Sequence, residues 1–491
     1  MPVEIPETKY DSSKTTLTVR SRRPWARRPI WKVFLVVACL ILALCFGFMW
    51  LLGSNARLGS AYAAKILASA VFIAGRSPES VLSEELGFIP RVNYRIDGVE
   101  KTLTAWTAPD TKVTAVFRDG LGVALALDGD IGALKKQARP DLIPALGSLS
   151  RAAWPMGDTP SGRSRPSGIN EAALELAVAR MFEEPNAWYK RRTRAVVILL
   201  DGEIIAERYG EGFDAGQKFP AWSISKSIQH ALYGIAVRDK KLAIADLAPI
   251  AEWKGTGDPR SAITIDMLLR MSSGLKYNEF DFLPPADLTT MLYLEPSAAD
   301  YAIRAPLAHP PDTSWAYSSA TANILSQILR QAYGDDDYYR LPYRALFAKI
   351  GMRNTVVEAD PAGTLVFSSY VFSTARDLAR FGLLYAQDGT WLGERILPEG
   401  WTTYARTRTP TAPEGEYGAQ WWLPSDTERA KAEKRGTPLP PDTFFGEGFE
   451  GQKLFVIPSR KLVILRLGLA YLSAHSSYDY VYEILDAVAS R

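Results

Sequence analysis

From Val33 to Leu52 the chain carries no charged residue and is almost wholly apolar over 20 positions. As a helix such a run reaches about 30 Å, the hydrocarbon thickness of a bilayer. Lys9, Lys14, Arg20, Arg22, Arg23, Arg27, Arg28 and Lys32 precede it, whereas only Arg57 and Lys65 follow closely. Basic residues stay on the cytoplasmic side of a span, so the expected topology has a cytoplasmic N-terminus and everything after Leu52 outside. A cleaved secretory signal is the alternative, with Ala61-Tyr62-Ala63 offering small residues for cleavage, but the run is longer than a normal signal core. Both cysteines, Cys39 and Cys45, fall inside it. The exported portion is therefore free of cysteine and has no disulfide framework.

At 491 residues, with 47% hydrophobic and 23% charged residues, the chain has the balance of a globular protein of two or three folding units. The net charge of +3 is concentrated in the N-terminal arm. Without a wider basic surface, no nucleic-acid partner is expected. The histidines are His230, His309 and His475, too few and too scattered for a Cys/His zinc site, and no metal or cofactor is expected.

Residues 54 to about 88 read as a mildly amphipathic helix. Two alternating runs follow, Val92 to Trp106 and Lys112 to Leu127, the second broken by a turn at Asp119-Gly120. The stretch WPMGDTPSGRSRPSG, Trp154 to Gly168, is rich in Pro, Gly and Ser and marks a boundary. The expected organisation is a cytoplasmic arm at 1–32, a span at 33–53, a mixed α/β appendage with linker at 54–165, and a main domain at 166–491. The main domain opens with a helix at Ala172–Phe182 and a hairpin of Ala195–Leu200 and Glu203–Tyr209 across Asp201-Gly202. Near the end, Leu454–Ile457 and Leu462–Leu467 pair across Pro458-Ser459-Arg460, and a closing helix spans Tyr478 to Ala489. Strands at both ends with helices between predict an α+β fold whose antiparallel sheet is assembled from distant parts of the chain.

Neither G-x-S-x-G nor H-E-x-x-H occurs. Gly446 to Gly451 matches G-x-G-x-x-G, but the following Lys453 to Ile457 reads as strand, whereas a dinucleotide site needs a helix there. Ser-x-x-Lys occurs twice. After Ser223, the apolar Ile224, Ile228, Leu232 and Ile235 recur at helical spacing, with Ser223, Lys226, Ser227 and His230 on another face. One helical turn then sets the Lys226 amine beside the Ser223 hydroxyl. A serine hydroxyl needs a base to become a nucleophile, and a lysine drawn towards neutrality by burial supplies one. His230 is seven residues along the same helix, about 10.5 Å of rise away, beyond hydrogen-bond reach. Ser273 and Lys276 instead straddle Gly274 at a helix end and need not face each other. The run PDTSWAYSS, Pro311 to Ser319, offers Tyr317 as a second proton carrier if the Lys226 ammonium stabilises its phenolate. The glycine-rich Gly446–Gly451 lets backbone N–H groups approach a substrate carbonyl.

In this order, WSISKS (Trp222 to Ser227), MSSGL (Met271 to Leu275), PDTSWAYSS and GEGFEGQ resemble the penicillin-recognising serine hydrolase superfamily. Within it they look most like the class C β-lactamase-related esterases and amidases, including aminohexanoate-oligomer hydrolases. RAVVILLDGEIIAERYG, Ser373 to Trp401 and YGAQWW fit as well, so the resemblance covers about 170 to 491. It implies a β-lactamase/transpeptidase-like antiparallel sheet flanked by helices, with a helical subdomain and the site at their junction. It also implies Ser223 as acylated nucleophile, Lys226 as base, Tyr317 as second acid/base, and an oxyanion hole from the backbone N–H groups of Ser223 and Phe449. Trp222, Ser319, Gly448, Trp421 and Trp422 are substrate-binding candidates, the tryptophans as an apolar wall for an acyl chain. The family often has Asn two residues after the tyrosine, where this chain has Ser319. Its usual Lys/His-Thr-Gly is here Gly446-Glu447-Gly448, without a cation. The expectation is a bacterial-type inner-membrane hydrolase with an extracytoplasmic catalytic domain, acting on an ester or amide. A D,D-peptidase or β-lactamase and a catalytically silent binding or sensor domain are the alternatives.

Overall fold

The computed structural model describes residues 55–142, 152–184, 190–279, 286–470 and 478–488. The basic arm and the apolar run 33–52 lie outside them, as does His475. Among the described residues no helix is long and apolar enough to cross a membrane.

The side chain of Asp97 accepts from the amides of Val99 and Glu100, at 3.1 and 2.9 Å. This local turn folds the first alternating run back on itself, so that it is two strands where the sequence reads as one. The result is an antiparallel meander of β1 (Asn93–Asp97), β2 (Thr102–Trp106), β3 (Val113–Arg118) and β4 (Gly122–Leu125). A helix over 55–72 packs on it through Ala61, Ala64, Leu67 and Ala68. The chain breaks at Gly75, whose φ is +67°, and a short helix, Pro78–Glu84, follows with Ser77 as its N-cap.

The second sheet is built on β5 (Thr193–Leu200), buried at every position, and its hairpin partner β6 (Glu203–Tyr209). A three-stranded patch is formed by β7 (Lys218–Pro220), β8 (Val356–Val357) and β9 (Val371–Thr374), in the order β7-β9-β8. A small hairpin, β10 (Thr390–Trp391) and β11 (Glu394–Arg395), lies apart. The C-terminal strands β12 (Phe444–Gly448), β13 (Gln452–Ile457) and β14 (Leu462–Gly468) complete the main sheet in the order β12-β13-β14-β5-β6, antiparallel throughout. The glycine-rich segment is thus a hairpin turn between two strands, and no helix follows it.

Strand alternation sorts the core into two layers. Ala195, Val197, Leu199, Val463 and Leu465 face the helices Ile224–Arg238 and Ala375–Ala386. Val196, Ile198, Leu200, Phe455 and Ile464 face Glu171–Phe182 and Asp479–Ala487. Full burial of one such aliphatic side chain contributes about 1.5–3 kcal/mol. Between β7 and β8 the chain makes a helical subdomain that includes Ile265–Leu269, Asp287–Tyr293, Ala298–Ile303 and Ser319–Tyr333. The architecture is the expected α+β, β-lactamase/transpeptidase-like arrangement.

Residues Gly53–Arg491 form one compact unit. The 55–142 layer shares a core with Trp222, Tyr370 and Phe372 of the body. Across that core Lys65 Nζ lies 2.6 Å from Glu358, with both side chains at most 4% exposed. Glu358 also accepts from Ser69 Oγ and from the Val123 amide.

Candidate active site

From Ala221 to Ala236 every residue is buried except Ser223. Ser223 is the N-cap of the helix Ile224–Arg238, yet its side chain caps no backbone amide and is left for other partners. Trp222 immediately before it has φ +47°, in the left-handed region that a tryptophan enters only under constraint from its surroundings. The polar face anticipated for this helix is internal. Ser227 Oγ donates to the Gln420 carbonyl, Gln229 Nε2 to the Ala322 carbonyl, and His230 Nδ1 lies 2.7 Å from the Tyr385 hydroxyl. His230 also stacks on Tyr404 and packs on Trp401, and burial drives its pKa well down. It is a neutral core residue, away from Ser223.

One turn into the helix, Lys226 Nζ is 2.8 Å from Ser223 Oγ, 2.8 Å from the Ser368 carbonyl and 3.1 Å from Ser319 Oγ. Burial pulls the Lys226 amine down to about 8, against the opposing charge of Glu279. Glu279 is itself buried and accepts from Ser319 twice, from the backbone amide at 2.7 Å and from Oγ at 2.6 Å. Burial raises its pKa, with Lys226 and the two Ser319 bonds opposing the rise.

Tyr317 lies with its ring centroid 4.9 Å from Lys226 Nζ. Burial, with Tyr417 and Glu279, pushes its phenol well above the usual value, and a hydrogen bond with Ser223 works the other way. The expected phenolate stabilised by Lys226 is therefore not the resting form. The ammonium faces the ring and Tyr317 keeps its proton. Trp422 packs against Tyr317 with ring centroids 5.0 Å apart, and Tyr417 and Trp315 complete the aromatic cluster.

The β12–β13 turn closes against the serine. A Cβ on Gly448 would stand 2.5 Å from the Ala221 carbonyl, so glycine is what permits this approach. Phe449 contacts the Trp222 ring edge-on at 5.5 Å. Among the described residues, neither the Ser223 nor the Phe449 amide donates to a carbonyl outside a helix or strand. Glu450, at φ +63°, accepts from Trp222 Nε1 at 3.1 Å. Trp222 is thereby fixed in the core beside the serine.

Ser223, Lys226, Tyr317, Ser319, Trp422 and the 448–449 turn are brought together in the structure. Trp421 does not join them. It is wholly buried among Phe381, Tyr385 and Phe444, and is a core residue rather than a wall of the site. Ser273 is buried and Lys276 exposed, so the second Ser-x-x-Lys makes no pair. Arg376 is held by Glu207 through two 2.8 Å bonds, and Lys453 by Glu447 at 2.7 Å. Sequence reasoning missed Glu279 and the Ser368 carbonyl. Glu279 stands four residues after the MSSGL glycine-leucine pair, and a carboxylate so close to a motif was the available signal. Nothing in the sequence marks a backbone carbonyl.

A serine hydroxyl paired with a buried amine and a phenol, at the junction of an antiparallel sheet and a helical subdomain, defines a serine hydrolase of the β-lactamase type. Residues 178–480 match the Beta-lactamase family, and the chain belongs to it. The 6-aminohexanoate-dimer hydrolase of Paenarthrobacter ureafaciens is 26% identical over 303 residues, which are 56% of this chain and 72% of that protein. Among solved structures, EstCE1, a hydrolase with promiscuous acyltransferase activity, superposes with a TM-score of 0.52 at 16% identity, covering 65% of this chain and 99% of its own. A class C β-lactamase gives 0.50 at 16% identity, over 67% of this chain and 100% of its own. The protein is a hydrolase of this family, with sequence similarity to the 6-aminohexanoate-dimer hydrolase.

Proposed function

We propose that the chain cleaves an ester or amide through an acyl-enzyme on Ser223, with Lys226 as base and Tyr317 as second acid/base. The observation that carries the reading is the 2.8 Å contact of Lys226 Nζ with Ser223 Oγ, made by an amine that burial holds near 8. In its neutral form the amine has two hydrogens, which Ser319 Oγ and the Ser368 carbonyl accept, and one lone pair, which is left for the Ser223 proton. Ser223 Oγ gives that proton to Lys226 and bonds to the substrate carbonyl carbon. The Ser223 and Phe449 amides receive the oxyanion. The Tyr317 phenol protonates the leaving oxygen or nitrogen and is restored by the proton that Lys226 took from Ser223, so the leaving group departs with the tyrosine's proton and the phenol ends with the serine's. A water then yields its proton to Lys226, attacks the acyl carbonyl, and Ser223 recovers its hydrogen as the acid departs.

Glu447 at the third motif and the engagement of Lys453 and Arg376 with carboxylates favour substrates without a carboxylate near the scissile bond: simple esters, uncharged amides or ω-amino amides. The relative that acts, by its name, on 6-aminohexanoate dimer supports the amide class. The run Val33–Leu52 and the basic arm before it support anchoring in the inner membrane with this domain outside the cytoplasm.

Treating the full-length protein with a fluorophosphonate, then reading intact mass and mapping the labelled peptide, tests the acyl-enzyme. One adduct on Ser223 is expected; an adduct elsewhere, or none, overturns the reading. Protease added to intact spheroplasts tests the anchor. Digestion of the domain is expected, and its protection, or a mature chain beginning near Ala64, refutes it.

A further inference from the structure

The hydroxyl of Ser319 has one hydrogen and is placed between two buried groups of opposite charge. Lys226 Nζ is 3.1 Å away on one side and Glu279 Oε1 is 2.6 Å away on the other. The Ser319 amide, 2.7 Å from the second oxygen of Glu279, uses the rest of that carboxylate. The ionised carboxylate accepts and does not donate, so in that form the Ser319 hydrogen points at Glu279. Its lone pairs then point at Lys226.

We propose that Glu279 is a positioning residue for the hydrolysis: it holds the Ser319 hydroxyl as an acceptor towards Lys226, which reserves the lysine lone pair for the proton of Ser223. Without that carboxylate Ser319 is free to turn and donate its own hydrogen to Lys226. Ser319 and Ser223 then compete for one lone pair, and each molecule in which Ser319 wins has no base for its nucleophile. The 2.6 Å distance and the burial of Glu279 make the bond charge-assisted and poorly exchangeable with water. The same carboxylate favours the ammonium form of Lys226 by its charge. Glu279 thus has two separable effects, one on the orientation of a hydroxyl and one on the proton affinity of the amine.

The groups that bear on this pair are few among the described residues. Around Lys226 they are Ser223, Ser319, the Ser368 carbonyl, the ring of Tyr317 and, by its charge, Glu279. The phenols of Tyr277, Tyr317 and Tyr417 each feel the charge of Glu279, and all three remain protonated at neutral pH.

The inference rests on the acyl-enzyme reading, and the test separates the two. Fluorophosphonate labelling of the full-length protein is measured against pH for the parent, Glu279→Gln, Ser319→Ala and the double variant. Glutamine puts an NH2, which cannot accept, at one of the two oxygen positions that the amide and the hydroxyl of Ser319 use, whereas Ser319→Ala removes the competitor altogether. At the high-pH plateau, Glu279→Gln is expected to label roughly tenfold more slowly, and the double variant about as fast as Ser319→Ala alone, because the penalty acts through the hydroxyl. The pH at which labelling rises is expected to fall by about half a unit or more in Glu279→Gln, since the charge that favours the ammonium is gone. Equal plateau rates in the parent and Glu279→Gln, an additive double variant, or an unmoved pH midpoint overturns the proposal. A parent that does not label at Ser223 refutes the acyl-enzyme reading itself. If Glu279→Gln fails to fold, Glu279→Asp is measured instead with Ser319→Ala as its partner, and additivity there is equally fatal.

Discussion

The Lys453 ammonium and the Glu447 carboxylate are 2.7 Å apart, directly opposite one another on β12 and β13. By the resemblance to the family's Lys/His-Thr-Gly, Glu447 stands at the position of the threonine and Gly446 at that of the cation. Lys453, the nearest cation along the chain, is neutralised by Glu447. A substrate carboxylate brought to this edge of the site would meet a charge already paired and a second carboxylate. A short-chain nitrophenyl ester is therefore expected to show a higher kcat/KM than a chromogenic cephalosporin on the same preparation. Efficient cephalosporin turnover would favour the cell-wall or β-lactamase alternative.

Removing the base should silence the nucleophile. Ser223→Ala and Lys226→Ala are expected to lose covalent labelling and turnover, while His230→Ala and Ser273→Ala keep substantial activity. The His230→Ala change removes the bond between the buried Tyr385 hydroxyl and the imidazole, at a cost of about 1–3 kcal/mol in stability, which denaturant unfolding measures. If Lys226 is the base as proposed, its working form is the neutral amine. Burial lowers its pKa to about 8, so activity should rise with pH and level off above that value. A profile already flat from pH 6 would show that another group is the base.

Burial keeps Tyr317 protonated at rest, and the proposed mechanism gives it its part in bond breaking. Tyr317→Phe keeps the ring that packs on Trp422 and removes only the proton carrier. A fall in kcat of about 10²- to 10⁴-fold with little change in KM is expected. A rise in KM at constant kcat would make Tyr317 a binding residue only.

The Lys65–Glu358 pair ties the N-terminal layer to the body. Lys65→Met leaves Glu358 as an unpaired buried charge, and a loss of about 3–5 kcal/mol is expected from chemical denaturation. Lys65→Met with Glu358→Gln should recover part of it, because the amide oxygen still accepts from Val123 while the charge is gone. An equal loss in both variants would place the effect in packing rather than charge.

Much of the site was legible because its geometry is local. Ser223 and Lys226 are three residues apart on a helix, and no tertiary contact is needed to place the amine near the hydroxyl. The hairpin at Asp201-Gly202 and the strand after Gly451 follow from turn residues and alternation in the same way. One local signal was misread: Asp97-Gly98 folds the first alternating run, and only the observed bonds from Asp97 separate it into two strands. Trp421 and Trp422 show the limit of composition. They are neighbours in an extended stretch, so their side chains point to opposite sides, and which side is core depends on where that stretch lands.

The helix that carries Ser223 and Lys226 and the alternating strands of the main sheet are dictated locally, since each depends on residues within a few positions, and the order of the motifs is read directly along the chain. Tertiary structure alone decided the rest. Ser319 and the carbonyl of Ser368 reach Lys226 from separate segments, and Glu279 reaches Ser319 from a third. The burial that lowers the pKa of the amine, and with it the case for Lys226 as the base, comes from this convergence, which no local pattern specifies.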